Sequence, residues 1–319
     1  MLNIIFTYDT EVWCSTWQDL DKHFPGAFKK YIYGETKNGD YGLRFNLNIL
    51  RDFGLSATFF VEPLFATRFG IDPLQEIVGI IKEYNQDIGL HLHTEWVDES
   101  REPLLVKSSS KRQFIKQFNL EEQVILIKKG VDLLEKAGCK KIRSFRAGGF
   151  GANIDTLKAL KINNIKIDSS YNLQLWNKND ISPLERIVQP RVIEGVYEYP
   201  MTVFLDGFRK IRHSQLTACS SGEFIYSMNQ ALKNGWENYI ILSHNFELLD
   251  QSRTKPDRLV IKRFLKVCKF LEKNSNEFRS IDFGKVTLVS FKKQPDFIKV
   301  KPIRTIGRIL EQGLRRLSR

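Results

Sequence analysis

Two carboxylates, a pair of histidines, an arginine, an aspartate and a further histidine each close a short apolar run in this 319-residue chain. The segments are Thr7-Tyr8-Asp9-Thr10-Glu11, Gly89-Leu90-His91-Leu92-His93, Phe145-Arg146-Ala147-Gly148-Gly149-Phe150, Asp168-Ser169-Ser170 and Leu242-Ser243-His244. Together they hold the side chains of metal-assisted hydrolysis: ligands, a general base, a general acid and groups to orient them. Asp9 and Glu11 are two apart, so in an extended backbone they point to the same side. Like charges so placed repel unless a cation lies beside them; alone, the pair reads as a solvated loop. His91 and His93 share that spacing, and the chain has only five histidines. A carboxylate and two imidazoles form a facial triad for Zn²⁺ or a similar ion, with positions open for water and substrate. The alternative is a pair of core histidines. Glu95, four beyond His91, is a further candidate ligand.

Arg146 precedes Gly148 and Gly149, where glycine lets backbone approach a substrate and aim N–H groups at a developing oxyanion. The same run also reads as a turn with a surface arginine. Asp168 is either a strand-end group or a helix cap. His244 ends the apolar run Tyr239-Ile240-Ile241-Leu242, a place for a buried, satisfied histidine or a catalytic one. His23 and His213 lie in irregular polar segments and receive no chemistry. Cys14, Cys139, Cys219 and Cys268 are far apart and read as reduced, structural thiols, with Cys14 a candidate reactive thiol after the carboxylate pair.

The elements that must carry these groups alternate. Strands are predicted at Asn3–Tyr8, Ala57–Val61, Asp87–His93, Ile142–Arg146, Ile165–Asp168, Glu194–Tyr199, Tyr239–Ser243 and Lys285–Val289. Helices are predicted at Leu43–Phe53, Leu74–Tyr84, Leu120–Ala137, Ile154–Leu160, Phe224–Lys233 and Asp257–Glu272. Such alternation predicts an α/β protein with a parallel sheet and outer helices. Closed into a barrel, it gathers reactive groups at the C-terminal strand ends, where Asp9, His93, Arg146, Asp168 and His244 fall. An open sheet would gather them along an edge, but no Gly-rich phosphate loop follows the first strand.

No run of about 18 apolar residues occurs, which excludes a membrane-spanning helix. Leu2–Phe6 reads as a first core strand rather than a signal peptide, giving the expectation of a cytoplasmic protein. The net charge is +12, of which residues from Phe291 onward carry +7. The rest carries +5, with no basic face that would predict a nucleic-acid partner.

In order, the five segments resemble the polysaccharide deacetylase family, the NodB-homology group of carbohydrate esterases, over residues 1–290. Thr7–Glu11 is similar to its T-F-D-D motif, His91-x-His93 to H-[ST]-x-x-H, and Phe145–Gly149 to R-x-P-Y. Asp168-Ser169-Ser170 is similar to the fourth motif and Leu242-Ser243-His244 to L-x-H. The resemblance is strongest to deacetylase-like proteins of lipopolysaccharide and surface-polysaccharide biosynthesis. It implies a distorted (β/α)7–8 barrel that hydrolyses the N-acetyl group of an amino sugar. Zn²⁺, or another divalent ion such as Co²⁺ or Ni²⁺, would be held by Glu11, His91 and His93. Asp9 would be the general base toward the attacking water, Arg146 would orient Asp9, and Asp168 would orient His244. His244 would be the general acid that protonates the leaving amine. Leu242 would line the acyl pocket, and Gly148, Gly149 and Phe150 would contact substrate. Glu11 replaces an aspartate, His-x-His shortens the second motif, and two glycines replace Pro and Tyr. The family also implies two alternatives: deformylation of a lipid-linked amino sugar, or an inactive carbohydrate-binding barrel.

Residues 291–319 read as a separate basic amphipathic tail. Ile303, Ile306, Leu310, Leu314 and Leu317 recur at helical spacing, flanked or opposed by Arg304, Arg308, Arg315 and Arg316. Such a helix lies in the headgroup layer of an anionic membrane, which would place the protein against its inner face. It would alternatively pack its stripe on the barrel or on a second subunit, with its arginines solvated.

Overall fold

The computed structural model describes residues 1–106, 111–178, 180–181 and 186–317. Parallel strands run over Leu2–Thr10 (β1), Ala57–Val61 (β2), Asp87–Leu92 (β3), Ser144–Ala147 (β4), Ile167–Asp168 (β5), Val196–Glu198 (β6), Asn238–His244 (β7) and Phe278–Ser280 (β8). The chain divides into two compact units, residues 1–57, 201–281 and 293–319, and residues 58–200 and 282–292.

In the first unit, β1 lies between β7 and β8. All nine residues of β1 are buried, as befits a parallel strand covered on both faces. The register pairs Asp9 with His244, so both reactive groups leave the same edge. A hairpin of Val203–Leu205 and Ile211–His213 and the helices Ser221–Lys233, Arg258–Lys273 and Pro302–Leu317 also belong to this unit. Ser220 caps the first of these helices. Its Oγ accepts the Glu223 N–H at 3.2 Å, and the Glu223 carboxylate accepts the Ser220 N–H at 3.1 Å. This reciprocal pair satisfies two donors that a helix start leaves unpaired.

In the second unit, β2, β3, β4, β5 and β6 pair side by side in parallel. Arg191–Ile193 adds antiparallel to β6. Register pairs His91 with Arg146, Phe145 with Asp168, and Asp168 with Glu198. The helix Leu120–Lys136 starts with a capping box, Asn119 accepting the Glu122 N–H at 2.9 Å and Glu122 accepting the Asn119 N–H at 3.0 Å.

The predicted strand at Lys285–Val289 is a correction. That segment is irregular, and the strand beside β1 is Phe278–Ser280 instead. Thr287 spends its carbonyl on the Tyr199 hydroxyl (3.0 Å), and Phe291 N–H reaches the Pro190 carbonyl (2.7 Å). These are single bonds rather than a ladder. No helix among the described residues is long and apolar enough to cross a membrane.

Candidate functional site

In the first unit the acidic pair is buried, with Asp9 3% and Glu11 6% exposed. Burying two carboxylates is costly without compensation, and the surrounding atoms supply part of it. The Asn245 side chain accepts the Glu11 N–H at 3.3 Å. Asn245 is itself fixed: its side-chain amide donates to the Tyr31 carbonyl, and its backbone carbonyl accepts from the Asn46 side chain at 3.2 Å. His244 Nε2 lies 3.7 Å from a Glu11 oxygen. Its Nδ1 lies 2.7 Å from Glu247 Oε1. A carboxylate only accepts, so Nδ1 donates there.

Glu247 is reached by a turn in which its N–H bonds the His244 carbonyl at 3.1 Å. Gln215 and the Thr217 N–H also donate to it, the latter at 3.3 Å. Burial alone would lower the His244 pKa. The hydrogen bond and charge of Glu247, then Glu11 and Asp9, outweigh burial and raise it to about 9. His244 is therefore the imidazolium at neutral pH, the form that can give a proton away. Leu242, two residues earlier, is 1% exposed.

In the second unit His91 and His93 stand edge to face, their ring centroids 4.8 Å apart. His91 Nδ1 bonds the Arg146 carbonyl at 2.7 Å. A carbonyl has no hydrogen to give, so Nδ1 carries it and Nε2 carries the lone pair. His93 Nδ1 lies 3.3 Å from Glu95 Oε2, which fixes the same tautomer. Glu95 thus stands behind His93 in the place of an orienting carboxylate. Gly148 packs so tightly that a Cβ there would sit 2.6 Å from the Leu92 carbonyl and 2.8 Å from His93 Nδ1. Only glycine leaves the His93 ring where it is. Gly149 (φ 56°) and Phe150 (φ 61°) are both left-handed. For a phenylalanine this is strain of the kind held at functional sites, and it sets the ring 5.7 Å from the Arg146 guanidinium.

Arg146 is wholly buried, its guanidinium 4.4 Å above the Phe60 ring. Its Nε donates to the Ser169 carbonyl and its Nη2 to Ser169 Oγ, each at 3.1 Å. Ser170 Oγ accepts the Ala147 N–H at 2.9 Å and donates to Asp168. The two serines after Asp168 are therefore braces for β4 and β5. Asp168 and Glu198 are both fully buried. Burial raises the pKa of each, and the Asp168 charge raises that of Glu198 further. Both carboxyls therefore hold a proton more tightly than they would in water.

Sequence reasoning missed Glu247, Asn245 and Glu198. The signal for Glu247 is its place three residues after His244, within reach of a turn. Glu198 ends a strand as Asp168 does.

No family model and no curated protein matches the sequence. The structure is similar to that of a Mycobacterium smegmatis protein assigned to the polysaccharide deacetylases. The TM-score is 0.57 at 16% identity, covering 92% of this chain and 94% of that one. A peptidoglycan N-acetylglucosamine deacetylase aligns at TM-score 0.44 and 14% identity, covering 91% and 90% of the two chains. A family 4 carbohydrate esterase from Streptomyces lividans, in complex with acetate, aligns at 0.43 and 12%, covering 86% and 90%. The first of these carries the assignment: the chain has the α/β fold of the polysaccharide deacetylase type, a distorted (β/α) barrel.

Proposed function

We propose that this protein is a metal-dependent carbohydrate deacetylase that hydrolyses the N-acetyl group of an amino sugar. The substrate class is a precursor of surface polysaccharide or lipopolysaccharide. The observation that carries the reading is the fixed tautomer of both strand histidines. His91 and His93 each commit Nδ1 to a carbonyl or carboxylate, which leaves both Nε2 lone pairs as ligands. Metal-binding histidines are held in this way by their outer partners. The family resemblance assigns Glu11 as the third ligand, and a carboxylate with two imidazoles would suit a divalent transition ion such as Zn²⁺. The ion, when bound, would lower the pKa of water toward 7 and polarise the acyl carbonyl.

The chain's own residues do the rest. Asp9 takes the proton of the attacking water. Arg146, held rigid by Ser169, would orient Asp9, as the family resemblance implies. His244, charged through Glu247, protonates the departing amine. Glu247 thereby takes the place that the family resemblance gives to Asp168. Asp168, with Glu198 and Ser170, fixes the strand ends that carry Arg146. As the family resemblance implies, Leu242 would line the acyl pocket, and Gly148, Gly149 and Phe150 would contact substrate.

The test is elemental analysis of protein purified without chelator, paired with acetate release from N-acetylglucosamine oligomers. One divalent ion per chain is expected. His91→Ala and Glu11→Ala should lose the ion, whereas Asp9→Asn should keep it and release no acetate. Formate released from an N-formyl sugar instead would assign deformylation to the same residues. Protein that contains no ion and recovers none from Zn²⁺, Co²⁺ or Ni²⁺ would overturn the reading.

A further inference from the structure

The helix Pro302–Leu317 lies with its polar side inward. Thr305, Arg308, Gln312 and Arg315 recur at helical spacing, and all four bond to the body of the first unit. Thr305 Oγ accepts the Gly207 N–H at 2.8 Å and donates to Glu223 at 3.2 Å. Arg308 is 2% exposed; it bonds Glu223 through Nε at 3.0 Å and Asp206 through Nη2 at 3.1 Å. Gln312 reaches the Ala218 carbonyl at 3.4 Å, and Arg315 pairs with Asp257. Glu311 pairs with Arg263 at 2.7 Å. The helix is thus anchored by ion pairs and hydrogen bonds, and its apolar side faces outward. Ile303 is 68%, Ile306 43%, Ile309 46% and Leu310 64% exposed. The side chains of Leu314, Arg316 and Leu317 fall outside those described.

A second element extends this face. The turn of the hairpin Val203–His213 presses on the start of the helix, where a Cβ on Gly207 would lie 2.3 Å from Pro302 Cα. Its next residue, Phe208, is 54% exposed. Phe208 and Ile309 line one cavity of about 360 Å³ with Lys210, Arg212 and Arg308. Two elements distant in sequence therefore meet in one apolar surface. Its rim carries the exposed Arg209, Lys210, Lys301 and Arg304. The acids nearest to it are used up: Asp206 and Glu223 by Arg308, and Glu311 by Arg263.

We propose that this surface docks on an anionic lipid bilayer, with Phe208, Ile303, Ile306, Ile309 and Leu310 entering the headgroup layer. The geometry is that of a helix lying in the interface plane, its apolar side toward the lipid tails. Arg209, Lys210, Lys301 and Arg304 then meet lipid phosphates, the complement of their charge. A second copy of this chain fits less well. A two-fold contact puts the same patch on both sides, so the four rim cations would face their own copies. The inference stands apart from the metal site, and its test does not read activity.

Full-length protein is sedimented with phosphatidylcholine vesicles and with vesicles that also contain phosphatidylglycerol, at low and high salt. Binding to the anionic vesicles at low salt, weakened by salt and absent on neutral vesicles, is expected. The combined variant Phe208→Ser, Ile306→Ser, Leu310→Ser should bind at least about tenfold more weakly. These side chains are exposed, so the fold should persist, as circular dichroism would confirm. Arg304→Glu with Arg209→Glu should weaken binding and flatten its salt dependence. Wild-type protein left in the supernatant at low salt overturns the proposal, and so does a triple variant that pellets like wild type. A concentration-dependent dimer in analytical ultracentrifugation, abolished by the same triple variant, would assign the face to self-association and overturn it too.

Discussion

Two buried ionic centres in this molecule solve the same problem in opposite ways. In the first unit, Arg308 sits between Asp206 and Glu223 and neutralises both. In the second, Asp168 and Glu198 lie side by side on β5 and β6, both inaccessible to water. Burial raises the pKa of both and so favours the protonated, uncharged form over what water would allow. The difference is informative because burial is nearly equal while the partners are not. Where a cation joins distant segments, charge works as a structural tie. Where two carboxylates meet beside a wholly buried arginine, protonation state becomes the variable. Perturbed acids of this second kind gather near functional groups, and these two brace the strand that carries Arg146.

The comparison predicts the largest effect at Arg308. Arg308→Ala leaves Glu223 with an uncompensated charge in a dry setting. Asp206 keeps Arg212 at 3.6 Å and the N–H groups of Phe208 and Lys210 at 2.9 and 3.0 Å. Removing one partner of a buried pair typically costs about 3–5 kcal/mol, measured by urea unfolding. Arg304→Ala, on the same helix but exposed, should stay within about 0.5 kcal/mol of wild type. Equal costs for the two would show that the helix, not the ion pair, sets the stability.

The sequence makes the two centres unequally readable. Strand ends are legible because each reactive group follows an apolar run: Asp9 after Leu2–Phe6, His244 after Tyr239–Leu242. The pairing of His91 with Nδ1 acceptors is not, since one acceptor is the backbone carbonyl of Arg146, 55 residues away. Glu247 is hidden by its position in a turn, where no periodicity marks it. In the helix Pro302–Leu317 the period of 3.6 is plain, yet it gives no direction. An amphipathic pattern states that two faces differ, and the usual inference puts the apolar one inside. Here Glu223, Asp206 and Asp257 reverse that order, and they are 58 to 102 residues distant. The segment Lys285–Val289 misleads for a related reason: its apolar residues suggest a ladder, but Phe278–Ser280 already pairs with β1.

An intermediate effect is expected at Glu247, which couples the two modes by pairing a carboxylate with an imidazole. Glu247→Gln keeps an acceptor for His244 Nδ1 but removes the charge that raises its pKa to about 9. The imidazolium then loses its proton at lower pH. The alkaline limb of the kcat/KM profile should move down by about 1–3 pH units, with metal content unchanged. A limb that stays in place would assign it to a group other than His244.

The smallest effect belongs to Glu198. Its folded pKa lies above its unfolded value, about 4.3, because burial and Asp168 disfavour its charge. The folded chain therefore binds this proton more tightly than the unfolded chain. The stability it contributes is complete below the unfolded value and is lost as pH rises toward the folded one. Glu198→Gln is neutral at every pH and keeps the acceptor for the Tyr171 N–H, now 3.0 Å from Glu198 Oε1. Its amide can also donate to Asp168. The variant should match wild type near about pH 4 and exceed it by about 1 kcal/mol near about pH 8. Thermal unfolding at both pH values measures the gap. If the gap does not widen with pH, the pair does not hold its proton, and the contrast with Arg308 would then be one of packing rather than of protonation.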